Sequence, residues 1–174
     1  MPIDLLLEFD DSLEADDRAI AEGADLPALT RVLEDEALAG DIELTVLLGG
    51  PALLRALNHE HRGLDEPTDV LSFPAAEGEE FPVAPGEPRY LGDIAVSVAT
   101  VRENAAAASL AADLELRHVV VHGMLHLAGY DHETPEDDAV MRAREEAVLG
   151  RGSTPDAAMR RTATTTEPRM RPHG

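Results

Sequence analysis

Four of the seven histidines in this 174-residue chain fall within one short window: His118, His122, His126 and His132. The first three are spaced i, i+4, i+8 along helix-compatible residues and so share one helical face. Imidazole is the commonest protein ligand of transition metals, which makes metal chemistry the first reading of the row. One ion cannot take all three. Eight residues of helical rise separate His118 from His126 by about 12 Å, whereas nitrogens bound to one zinc lie within about 4 Å of each other. Only neighbours in the row can pair.

Gly129 selects the pair. It stands where the helical pattern stops and suits the left-handed turn that reverses a chain past a helix C-terminus. That reversal brings His132 back toward the last turns, so the expected triad is His122, His126 and His132. His118, a turn further away, is expected to pack or to face substrate. All-nitrogen ligation suits zinc, with nickel, copper or iron also compatible. Three ligands leave a fourth position open for water, as in catalytic rather than structural sites.

The spacing His-x3-His-x5-His with glycine at the eighth place also belongs to the metzincin proteases. Those carry glutamate directly after the first histidine as general base, and Gly123 stands there in this chain. Glycine cannot accept a proton, so peptide hydrolysis by that route lacks its base.

Composition narrows the setting. There are 35 acidic against 14 basic residues, net charge -21, with 44% apolar residues and no cysteine or tryptophan. Such a chain can bury a core, and its length favours one domain. The absence of cysteine excludes disulfide scaffolds, thiolate clusters and cysteine nucleophiles. The acidity argues against tight non-specific binding to nucleic acid or anionic membranes, so an anionic substrate needs a local cationic site. Met1-Pro2-Ile3-Asp4 lacks the basic start of a secretory signal, and no apolar run approaches a membrane span; a soluble, cytoplasmic protein is expected. Residues 1–150 hold 33 acids and 9 arginines, net -24, whereas 151–174 hold 2 acids and 5 arginines, net +3. The expectation is a folded domain over 1–150 and a disordered Arg/Thr/Pro-rich tail over 151–174.

These residues need elements to position them. Ile3 to Phe9 reads as a strand, followed by an acidic stretch. Asp25 as N-cap, Pro27, and the face Leu29, Val32, Leu33, Ala37 predict a helix ending at Gly40. Ile42 to Leu48 alternates as a half-buried strand. Gly50-Pro51 opens a helix through about Asn58, and Asp69 to Phe73 and Leu91 to Ser97 are strands, with Gly92 suited to a bulge. Residues 75–89 read as a loop. Helices follow at about Thr100 to Ala108, Ala112 to Ala128 and Pro135 to Leu149. Val119 to Val121, Leu125 and Leu127 read as helix core, and the acids from Glu133 to Asp138 as N-terminal helix charge. The fold class is α+β: a mixed four-stranded sheet with about five helices and a metal site at the end of a long helix.

The window His118-Val-Val-Val-His122-Gly-Met-Leu-His126-Leu-Ala-Gly129-Tyr-Asp-His132-Glu resembles the signature of the bacterial YbeY family of single-metal endoribonucleases and rRNA maturation factors. Leu57-Asn58-His59-Glu60-His61-Arg62-Gly63-Leu64-Asp65-Glu66-Pro67-Thr68-Asp69-Val70-Leu71-Ser72-Phe73-Pro74 resembles a second family block, and Leu91-Gly92-Asp93-Ile94 a third. The blocks span about residues 42–149. The resemblance implies zinc on His122, His126 and His132, a functional Arg62 in the cleft, and processing of ribosomal RNA, notably the 3′ end of 16S rRNA, with a role in ribosome quality control. His61 departs from the family's usual Tyr, and Leu64 from its frequent Lys, which removes a cationic contact near Arg62.

On that reading the chain is a single-strand-specific, metal-dependent endoribonuclease. A zinc-bound water, its pKa lowered from about 16 toward about 7, hydrolyses the phosphodiester. His122, His126 and Arg62 are the catalytic candidates, and Arg62 also grips the phosphate as a planar fork. Taken without the family, Arg62 reads as a surface partner of Glu60 or Asp65. Tyr130 is the one stacking candidate among five aromatics, too few for a broad base-stacking platform. Asp131 and Glu133 flank His132 and could orient a ligand or solvate the turn; Asp69 and Asp93 sit at strand positions open to either role. Ribosomal RNA is the expected partner, with a small-subunit ribosomal protein or ribosome-associated GTPase. The alternatives are a ribosome-assembly binding factor with a structural metal, or a metalloprotease without its glutamate.

Overall fold

In the computed structural model, residues 3–34, 41–64, 68–75, 89–130 and 134–149 are described. The strands are β1 (Ile3–Phe9), β2 (Ile42–Gly49), β3 (Val70–Pro74) and β4 (Arg89–Ser97). They form one sheet in the order β1-β2-β4-β3, with β1, β2 and β4 parallel and the edge strand β3 antiparallel to β4. The helices are α1 (Ala15–Gly23), α2 (Arg31–Glu34), α3 (Pro51–Arg62), α4 (Val98–Ala107), α5 (Ala112–Leu127) and α6 (Pro135–Leu149), with a 3-10 turn at Leu26–Thr30. This is the expected α+β class with its mixed four-stranded sheet. Six α-helices are described rather than about five.

The alternation in β2 sorts the two faces of the sheet. Ile42, Leu44, Val46 and Leu48 join Ile94 and Val96 of β4 in the main core, where they meet Leu116, Val120, Met124 and Leu125 of α5. Leu47 and Ala95 point the other way and pack with Leu54 of α3 and Leu71 of β3. So α5 covers one face and α3 part of the opposite one. A helix laid on a sheet and covered by other helices is apolar on most of its circumference, and α5 is: Leu116, Val119, Val120, Val121, Met124 and Leu125 are all at most 1% exposed. The run Val119-Val120-Val121 has poor helix propensity. Burying each valine contributes on the order of 1.5–3 kcal/mol, which outweighs a propensity deficit of a few tenths.

Three departures from the sequence reading have local causes. The acidic stretch after β1 contains α1, whose Asp16 and Asp17 lie in the first turn, where the helix dipole favours them. The segment at Asp25 starts as a 3-10 turn; Asp25 stands at its N-cap position with φ 53°, but its side chain makes no capping hydrogen bond. Residues 35–40, including Ala37 and Gly40, lie outside the described residues. Helix α3 runs four residues past Asn58 and stops at Gly63, whose φ of 73° ends it in a left-handed turn. Arg62 is therefore helical. Of the expected loop over 75–89, residues 76–88 lie outside the described residues, as does the tail 151–174, and Arg89 already belongs to β4. Among the described residues no helix is long and apolar enough to cross a membrane.

Gly92 sits where the register between β2 and β4 shifts, as a bulge there requires. Its φ is 145°, and a Cβ would lie 2.5 Å from the Phe73 carbonyl oxygen and 2.9 Å from Leu127. Glycine at this position lets the C-terminal end of α5 settle directly on the sheet.

Candidate active site

Helix α5 ends in a well-formed reversal. Ala128 is the last αR residue, Gly129 takes φ 110°, the Gly129 N–H donates to the His126 carbonyl and the Tyr130 N–H to the Leu125 carbonyl, both at 3.0 Å. These are the two bonds of a Schellman cap. The chain thus turns at Gly129, as its position in the sequence requires. His132, Asp131 and Glu133 lie outside the described residues. Tyr130 packs partly buried against the main core.

The structure brings His122 and His126 together. Their ring centroids are 4.8 Å apart at an interplanar angle of 80°. The other ring contact is to a residue that sequence reasoning missed: Nδ1 of His122 lies 2.7 Å from Oε2 of Glu145 on α6. Glu145 is only 4% exposed. It stands in the stripe Met141, Glu145, Leu149, an i, i+4, i+8 row whose two apolar members join the core. A lone carboxylate in an apolar stripe was the signal available in the sequence. His118, 1% exposed, has its Nε2 3.7 Å from the other oxygen of Glu145. It is a packed residue directed at α6.

Two imidazoles this close are donors a transition metal can take, although no three metal-ligating side chains cluster among the described residues. A carboxylate accepts only, so a neutral His122 bonded to it carries its proton on Nδ1 and keeps the Nε2 lone pair for a ligand. This carboxylate–histidine pairing recurs behind metal-bound imidazoles.

Arg62 is half-buried at the end of α3, the helix on the sheet face opposite α5. Beside it, the His61 ring packs on Phe73 of β3, centroids 4.7 Å apart. The histidine at this position thus makes a ring contact with the edge strand. Leu64 is 37% exposed. Asp69 is buried, and its carboxylate accepts from Asn104 of α4 at 3.4 Å, which ties the start of β3 to α4. Asp93 accepts from the Tyr90 hydroxyl, whose oxygen in turn accepts from the Thr45 hydroxyl, 2.7 Å away. Burial first, and the Asp93 bond second, raise the Tyr90 phenol to about 12. Both aspartates thus have partners within the fold.

Fold and site together define an α+β protein whose histidine-bearing helix lies flat on a mixed sheet and ends in a glycine reversal. A family described as Endoribonuclease YbeY matches residues 11–152. Proteins named Endoribonuclease YbeY from Roseiflexus castenholzii and Chloroflexus aggregans are each 48% identical, over 71% and 77% of this chain and 78% and 89% of their own. One from Bradyrhizobium diazoefficiens is 41% identical over 87% of this chain and 81% of its own. The solution structure of a Thermotoga maritima protein, 29% identical, matches over 97% of this chain and 99% of its own with a TM-score of 0.55. The chain belongs to the YbeY endoribonuclease family.

Proposed function

We propose that the chain is a single-metal endoribonuclease that cuts single-stranded RNA during rRNA maturation, at the 3′ end of 16S rRNA, and in ribosome quality control in the cytoplasm. Membership in an endoribonuclease family supports RNA cleavage. The observation that carries the metal reading is the juxtaposition of His122 and His126, with Nδ1 of His122 engaged by Glu145. His122, His126 and His132 would hold the ion, and zinc suits three imidazoles. When bound, it supplies Lewis acidity toward a phosphoryl oxygen and acidifies water at its open position.

The chain's own residues do the rest. Arg62 binds the phosphate through its planar fork, which neutralises charge that a domain of net -24 would otherwise repel. Tyr130, following the Gly129 reversal, stacks on a base. The acidic surface makes binding to isolated RNA weak and salt-sensitive, so targeting comes from a small-subunit ribosomal protein or a ribosome-associated GTPase.

The test is cleavage of a single-stranded rRNA fragment by purified protein, with and without chelator. Cleavage is expected to disappear with chelator and in His126→Ala, and to fall at least about 100-fold in Arg62→Glu, the scale of one lost transition-state charge contact. Undiminished cleavage by His126→Ala in chelator would sink the metal reading. Full rescue of a deletion strain by both Arg62→Glu and His122→Ala would instead favour a ribosome-assembly factor.

A further inference from the structure

We infer that Glu145 is the positioning residue of the metal centre: from α6, its buried carboxylate holds His122 with the proton on Nδ1, so that Nε2 faces its task as a ligand. This rests on the metal reading above and adds to it a residue and an element.

Three observations converge. The 2.7 Å contact joins a carboxylate oxygen to a ring nitrogen, and only one of the two atoms can carry the hydrogen when the carboxylate is ionised. The second oxygen of Glu145 lies 3.7 Å from Nε2 of His118, so the carboxylate is flanked by two members of the histidine row, only one of which is a proposed ligand. That gives His118 a place: it packs beside Glu145, beyond hydrogen-bond length, rather than binding the ion. Finally, α6 is fastened firmly enough to aim a side chain. Met141 is 1% exposed in the main core, and Arg144 donates to the Val32 carbonyl of α2 at 3.1 Å.

The energetics favour a functional assignment. A carboxylate at 4% exposure is heavily penalised by desolvation unless charge and hydrogen bonds offset it. A leucine in the Met141–Leu149 stripe would avoid that cost. A dication held by His122 and His126 would offset the carboxylate charge, and the carboxylate would in turn make the His122 imidazole a more basic ligand. Glu145 acts through His122 and does not touch the substrate.

The experiment measures zinc affinity by chelator competition for wild type, Glu145→Gln, Glu145→Ala and His126→Ala, together with long-range proton–nitrogen correlation spectra of the His122 ring in the metal-free protein. Loss of an outer partner of this kind typically weakens metal binding 10- to 100-fold. Glu145→Gln, whose amide oxygen still accepts from Nδ1, is expected near the lower figure and Glu145→Ala near the upper. The spectra are expected to show the proton on Nδ1 in wild type and a mixed tautomer in Glu145→Ala. A purely structural role for Glu145 would lower thermal stability without moving the affinity of the folded variants. If Glu145→Ala does not fold, Glu145→Gln and the wild-type spectrum decide. Affinities within about twofold of wild type, or a proton on Nε2 of wild-type His122, would overturn the inference while leaving the metal reading intact. A wild-type protein that takes up no zinc in the same competition would overturn the metal reading, and this inference with it.

Discussion

Gly123 of α5 lies against Ile94 of β4 so closely that a Cβ on the glycine would stand 3.1 Å from two Ile94 side-chain carbons. This is the position that carries the glutamate base in metzincin proteases, and here it faces the sheet. A side chain at 123 would require Ile94 to give way by a few tenths of an ångström for the helix to lie this close to β4. Peptide hydrolysis is disfavoured twice over: the base is absent, and the fold has used its place for packing.

The first prediction concerns that contact. Gly123→Ala gains about 1 kcal/mol in helix propensity. It also overpacks a core in which Ile94 is fully buried, at about 1–3 kcal/mol. A net loss of about 1 kcal/mol is expected in urea unfolding. Gly123→Glu buries a charge as well, and should unfold the domain or cost more than about 3 kcal/mol without creating any proteolysis of casein. A stable, proteolytic Gly123→Glu would refute this account of the site.

Gly129 provides a contrasting test. Nothing stands within 4 Å of a Cβ placed there, so Gly129→Ala meets no clash and suffers only from its φ of 110°. The expected cost is about 1–2 kcal/mol, from the backbone alone. Zinc affinity should fall with it, because the reversal that aims the chain toward His132 is strained. Equal stability of Gly129→Ala and wild type would show that the cap does not depend on glycine.

Tyr90 makes a prediction in pH. Its phenol is held near 12, chiefly by burial and then by Asp93, against an ordinary value of 10. The folded chain therefore keeps this proton where the unfolded chain loses it. The associated stability is complete below pH about 10 and drains away as pH rises through about 12. Ultraviolet titration should show one of the two tyrosines ionising near 12. In Asp93→Asn that value should fall yet stay above 10, since burial, the larger cause, is retained. A return to 10 would mean that Asp93 was the main cause.

Metal loading should register in stability. Free zinc at about 100 times its dissociation constant is expected to stabilise the folded chain by about 2.7 kcal/mol. For a chain of this size that raises the melting temperature by roughly 5–10 °C. The shift should vanish in His126→Ala. A shift of the same size in that variant would place zinc elsewhere.

Much of this site was legible before any fold was known. The i, i+4 spacing of His122 and His126, and a glycine three residues beyond, are local features: helical geometry alone sets the ring separation, and the left-handed freedom of glycine alone sets the reversal. The strand alternation of β2 and the start and end of α6 follow from the same short-range rules. The helix α1 escaped because it is built mostly of acids and alanines, with Ile20 its one large apolar residue. Asp25 looked like a cap by residue type, but a 3-10 turn after a left-handed residue does not use its side chain.

What tertiary structure alone decided is which groups meet across the chain. Glu145 is 23 residues from His122, and no spacing rule links them. Their contact exists because α6 docks beside α5 in the main core. Likewise the sheet puts the apolar side of α3, through Leu54, on one face and the histidine helix on the other. Gly123, legible as a missing base, turned out to be a contact surface. Residue types and periods determine which chemistry a segment can carry, since those depend on bonds and turns a few residues long. Which carboxylate orients which imidazole depends on the burial of distant apolar faces against one another, and that is settled only when the whole core closes.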